Sequence, residues 1–106
     1  MDYKNFVIYK IFNPENPDII YIGSTKNFSK RKSSHKKNVK NKCSKSYKYP
    51  LYQYIRSLGG FEKFTIEIIE KYPCNSNQEG KIKEQEFIDL FKPMLNSMNC
   101  SINKRV

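Results

Sequence analysis

Apolar and polar positions along this chain change period several times, and each change marks an element. Residues 6–12, Phe-Val-Ile-Tyr-Lys-Ile-Phe, are β-branched and aromatic over a span too short for a stable helix, which predicts a strand. Alternation puts Val7, Tyr9 and Ile11 on one face and Phe6, Ile8, Lys10 and Phe12 on the other. Residues 13–18 carry Pro14 and Pro17 with Asn and Asp, so a turn follows, somewhat longer than the tightest hairpin loops. Residues 19–23 predict a second strand, antiparallel to the first. A third is predicted over 63–70, with Phe64, Ile66 and Ile68 inward and Thr65, Glu67 and Ile69 on the opposite face.

Between the strands the period lengthens to that of helices. Ser24-Thr25-Lys26-Asn27 offers several N-caps to a helix over 28–39. Phe28 is the only large apolar group in its first two turns, so its order must come from docking against the rest of the chain. Pro50 opens a second helix, 51–58, in which Leu51, Tyr54, Ile55 and Leu58 follow the i, i+3, i+4, i+7 pattern before Gly59-Gly60 ends it. A third helix spans 78–91, capped by Ser76 or Asn77 and stopped by Pro93, with its apolar face in the second half. The tail, 94–106, has no clear period and is expected to fray at its end. The expected fold class is α+β, a small three-stranded, mainly antiparallel sheet flanked by three helices, in one domain covering residues 1–106.

Composition adds a partner to this picture. The formal net charge is +10, from 20 Lys and Arg against 10 Asp and Glu. No acidic residue falls between Asp18 and Glu62, where eleven basic ones do. A segment so one-sided repels itself and is most stable beside a polyanion such as nucleic acid, although a solvated lysine-rich surface has the same composition. The 15 aromatics, 8 Tyr and 7 Phe, let a chain of 106 residues bury a useful core. Cys43, Cys74 and Cys100 form no C-x-x-C pair, which argues for reduced thiols and against a disulfide framework or a zinc site. One His excludes cages built on several imidazoles. With no apolar run of membrane-spanning length and no signal-peptide core, the expected protein is soluble and intracellular, cytoplasmic or nuclear, with no membrane partner.

Val7-Ile8-Tyr9, eleven residues, then Tyr21-Ile22-Gly23 resembles the paired triplets of the GIY-YIG nuclease family. The resemblance continues in order: Arg31 and His35 in the first helix, Leu51-Tyr52 to Gly59-Gly60-Phe61, Glu84 in the third helix, and Pro93-Met94-Leu95-Asn96. It covers nearly the whole chain. One departure is Val7, where the family has Gly.

The resemblance implies a metal-dependent DNA endonuclease. Glu84 would hold one divalent cation, Mg2+ or Mn2+, since Mg2+ is bound through one or two carboxylates with water and phosphate completing its shell. Arg31 would grip the scissile phosphate with paired donors, and His35, one turn later on the same helix face, would donate to the phosphate or relay a proton. Tyr9 would take a proton from the attacking water, provided that cations favour its phenolate or the metal acidifies the water, and Tyr21 would sit beside the phosphate. Gly23 would let the chain leave strand two close to the site, and Asn96 would be a packing amide or a support for the site backbone. Nucleic acid is expected along Lys26, Lys30, Lys32, Lys36, Lys37 and Lys48, with Tyr47, ahead of Lys48 and Tyr49, as the added residue after the first helix. The resemblance further implies that specificity comes from a partner subunit, a homodimer or DNA shape. The alternative is a catalytically inactive, basic nucleic-acid-binding module.

Overall fold

The three apolar segments pair as one antiparallel sheet of order β2-β1-β3, with β1 over Val7–Asn13, β2 over Asn16–Thr25 and β3 over Thr65–Lys71. The computed structural model describes residues 3–96. Its helices are α1, Phe28–Lys40, α2, Pro50–Ser57, and α3, Asn77–Phe91, which agrees with the predicted α+β class. The tail beyond Asn96, with Cys100, lies outside the described residues.

Two strand boundaries differ from the sequence reading. Asn13 pairs with Asn16, so the hairpin loop is only Pro14-Glu15, and the Asn13 side chain accepts a 2.8 Å hydrogen bond from the Glu15 N–H. Strand β2 therefore contains Pro17, which it tolerates as an edge strand whose outer side needs no ladder donor. Strand β3 starts later than predicted, because Phe61–Lys63 forms a 3-10 turn. A register shift pairs Ile8 with Glu70 but Tyr9 with Ile68, and Ile68, expected inward, is 38 % exposed.

Alternation along β1 builds a core on each side of the sheet. Tyr9 and Ile11 join Val39, Leu51, Ile55 and Phe61 beneath α1 and α2. Phe6 and Ile8 join Ile22 on the other face, where Ile69, Phe87 and Ile88 pack. Helix α1 buries only His35 and Val39, so tertiary docking holds it, as its weak apolar stripe requires. Its cap is Asn27, whose side chain accepts from the Lys30 N–H at 3.0 Å, while Ser76 caps α3 by accepting from Glu79 at 3.3 Å. Val7 is buried in regular pairing with Thr25 and Lys71, so the sheet accommodates a side chain there. Among the described residues, no helix is long and apolar enough to cross a membrane, and Cys43 and Cys74 are free thiols.

Candidate active site

Strand β1 sends Tyr9 toward α1, and α1 meets it with His35. The Tyr9 phenol is fully buried and lies 2.8 Å from His35 Nε2. The other ring nitrogen, Nδ1, is 2.7 Å from the Tyr52 hydroxyl on α2. Both nitrogens of a ring only 5 % exposed are thus engaged by phenols, and neither is open to a phosphate. His35 thus meets the rest of the site through the Tyr9 phenol.

Gly23 makes this arrangement possible. It pairs with Tyr9 across the β1-β2 ladder, and a Cβ there would stand 2.5 Å from Tyr9 Oη and 3.1 Å from the Tyr21 ring. Its part is to clear space for two phenols and not, as expected, to let the chain turn away from the strand. Tyr21 is half-buried on the same face, its ring edge-on to His35 at 6.2 Å.

Burial sets the protonation states. It pulls the His35 pKa down to about 4, with the Arg31 charge adding to the effect, so the imidazole is neutral at pH 7. It pushes Tyr9 up to about 12, outweighing the charge and hydrogen bond of Arg31. Tyr21 and Tyr52 are raised for the same reason. Tyr9 is therefore a neutral phenol in the free protein, and lowering its pKa requires additional positive charge.

Glu84 reaches the site from the opposite layer. Strand β2 is the sheet edge, and Ser24, which pairs with Ile8 and so points toward α3, donates its hydroxyl to Glu84 Oε1. Lys81 Nζ is 3.2 Å from the same oxygen. The Glu84 charge acts on both Tyr9 and Tyr21, opposing the effect of Arg31. Two phenols, a guanidinium, an imidazole and a carboxylate thus converge at the end of β2. Asn96 holds that strand like a short extra partner: its side chain accepts from the Ile22 N–H at 2.7 Å and donates to the Ile22 carbonyl at 2.9 Å. The Asn96 amide thus braces the β2 backbone at Ile22.

A divalent cation fits this donor set. Glu84 is the single carboxylate here, its side chain is 15 % exposed, and no hydrogen bond to Oε2 forms among the described residues. One open carboxylate oxygen suits Mg2+, which keeps most of its waters. Among the described residues there is no group of three or more His, Cys, Asp or Glu of the kind that cages a metal outright.

The basic residues divide. Lys26, Lys30 and Arg31 line a cleft of about 540 Å3 between the N-terminal ends of α1 and α3, with Lys81 on its far wall. Lys32 and Lys36 lie around the helix, along a separate groove beside Phe61 and Glu62. Lys37 and Lys48 are exposed and border neither. The Tyr47 ring lies under the Arg56 guanidinium at 3.7 Å, and Tyr49 lines the hollow beside His35. The reading of the sequence missed Ser24 and Tyr52 as site residues. Strand parity marks Ser24 as facing α3, but Tyr52 sits off the apolar stripe used to orient α2, and nothing local reveals that it meets His35.

The comparisons agree with the fold. No curated protein sequence matches the chain. Among solved structures, the catalytic domain of homing endonuclease I-TevI superimposes with a TM-score of 0.69 at 27 % identity, covering 86 % of this chain and 92 % of that one. The profile of the GIY-YIG catalytic domain matches residues 5–99, which spans every element from β1 to the Asn96 brace. Sequence order, sheet topology and the meeting of the tyrosine strands with α1 and α3 lead to one conclusion: this chain belongs to the GIY-YIG catalytic-domain family.

Proposed function

We propose that this protein is a DNA endonuclease that hydrolyses phosphodiester bonds with the help of a divalent cation, Mg2+ or Mn2+. The observation that carries the reading is the convergence of Tyr9, Tyr21, Arg31, His35 and Glu84, from both layers of the sheet, at the end of β2. Likeness to a homing endonuclease catalytic domain supports DNA as the substrate.

Arg31 holds the scissile phosphate, because a guanidinium keeps its charge at every working pH and presents paired donors. Tyr9 in its phenolate form takes a proton from the attacking water; the water oxygen bonds to phosphorus as the bond to the leaving oxygen breaks. His35 acts through Tyr9, to which it is bonded, and Tyr21 flanks the phosphate. Glu84 would hold the cation, with Ser24 fixing the carboxylate. When bound, the cation supplies positive charge that offsets the phosphate and draws both phenol and water toward deprotonation. Lys26 and Lys30 extend the basic surface along the cleft, and sequence preference comes from DNA shape, a second copy or a partner subunit.

A supercoiled plasmid incubated with the protein and Mg2+ tests this. The wild type should nick it, and Glu84→Gln and Arg31→Lys should each lose about 100-fold or more in rate. No cleavage by the wild type, or unchanged cleavage by both variants, would leave only a basic nucleic-acid-binding scaffold.

A further inference from the structure

Arg31 lines two hollows of opposite character. One is the basic cleft of Lys26, Lys30 and Lys81. The other, about 320 Å3 in volume, Arg31 shares with Tyr21, His35, Asn38, Tyr49 and Tyr52, and no lysine lines it among the described residues. In a chain of net charge +10 that omission is informative. A DNA strand held at Arg31 meets ammonium groups on one flank, while the other flank does not suit a further phosphate.

What the second flank offers is an aromatic surface. Tyr49 is 51 % exposed and lies nearly parallel to the buried Tyr52 ring, with 6.1 Å between centroids and 5° between planes. Two other half-buried tyrosines are covered by cations: Arg56 is 3.7 Å from the Tyr47 ring, and Lys26 is 5.3 Å from that of Tyr3. No cation covers Tyr49 among the described residues. Its place is also fixed in advance. The Tyr49 N–H donates to the Ser46 carbonyl at 2.9 Å, and its own carbonyl accepts from Gln53 at 3.0 Å as α2 begins. Arg56 ties the preceding turn to α1 by donating to the Tyr47 and Val39 carbonyls at 2.6 and 2.9 Å. A residue held this way loses little freedom when a ligand stacks on it.

We propose that Tyr49, backed by Tyr52, is the platform on which the DNA base beside the scissile phosphate stacks after leaving the duplex. The inference rests on the reading of Arg31 as the phosphate contact and adds a base-binding subsite to it. Every base has a π-face, so the platform itself tolerates any sequence. The Asn38 amide, in the same hollow, supplies a donor and an acceptor for a base edge. The volume is that of a small ligand site, suited to one base and not to a duplex. Because extrusion costs least where a base is already unpaired, the substrate class is DNA with a mismatched, bulged or branched nucleotide at the cut.

The chain contains no tryptophan, so Tyr49→Trp places a single fluorescent indole at the platform. The probes are a single-stranded thymidine oligomer and an abasic oligomer with the same number of phosphates, both in EDTA so that nothing is cut. At saturation the thymidine oligomer should quench the indole emission, and the abasic one should leave it unchanged. By fluorescence anisotropy the wild type should bind the thymidine oligomer about fivefold or more tighter than the abasic one. Tyr49→Leu, which keeps apolar cover over Tyr52, should bring that ratio to about one. Should either variant lack a cooperative thermal transition, the other decides. Equal affinity of the wild type for both oligomers, an indole that the thymidine oligomer does not quench or that both quench alike, or an unchanged ratio in folded Tyr49→Leu overturns the assignment. None of these measurements needs cleavage, so the two proposals fail separately. Base-dependent quenching in a protein that nicks no plasmid refutes the nuclease alone, and equal affinity in an active nuclease refutes the platform alone.

Discussion

His35 should make this protein acid-labile over a defined window. Buried between Tyr9, Tyr21 and Tyr52, and facing the Arg31 charge, the imidazole titrates near 4 in the folded chain against about 6.5 when unfolded. A folded-state pKa that is depressed means the unfolded chain binds the proton first. Stability is therefore fully present above about pH 6.5 and is lost as pH falls toward 4. At about 1.4 kcal/mol per unit the loss amounts to about 3 kcal/mol, a large share of what a domain this size possesses. The assay is urea unfolding of the wild type and His35→Gln at half-unit steps from pH 7.5 to 4. The variant will start less stable, having lost two hydrogen bonds, but between pH 6.5 and 4.5 its unfolding free energy should change less than that of the wild type. The carboxylates titrate alike in both, so the difference of slopes isolates His35. Parallel slopes, or an NMR titration placing His35 at 6.5 or above, would refute the argument that burial keeps this ring neutral.

Gly23→Ala puts a methyl against Tyr9 Oη and the Tyr21 ring, so it should destabilise the fold by about 1–3 kcal/mol and abolish most nicking by moving Tyr9 off His35; equal activity by gel assay would show that the phenols have room to spare. Lys81→Gln removes an ammonium competing for Glu84, and the Mg2+ concentration for half-maximal cleavage should fall by up to about fivefold, the value of an exposed ion pair; a rise would mean that Lys81 orients the carboxylate instead. Lys26→Gln with Lys30→Gln should lower the salt dependence of DNA binding by about two phosphate contacts, measured by fluorescence anisotropy, whereas Lys32→Gln with Lys36→Gln should change it less; the reverse order would move the DNA path to the other groove.

Much of this molecule follows from local chemistry. The strand segments, three helices and α+β class come from period and capping, because a two-residue alternation and a 3.6-residue stripe are properties of neighbouring side chains. The set Tyr9, Tyr21, Arg31, His35 and Glu84 came from the resemblance to a family, and the fold brings these side chains toward the end of β2. What spacing does not carry is the meeting of residues distant in sequence. Tyr47 and Tyr52 have the same side chain, five residues apart, yet packing turns one beneath Arg56 and the other onto His35. Pro17 reads as a turn residue, and only the edge position of β2 makes it a strand residue. The sequence by itself determined which groups are available and which side chains of β1 face each layer. The tertiary structure decided their ionisation and hydrogen-bond partners, because burial, a sum over every layer of the fold, sets the energy of a charge while local order along the chain does not.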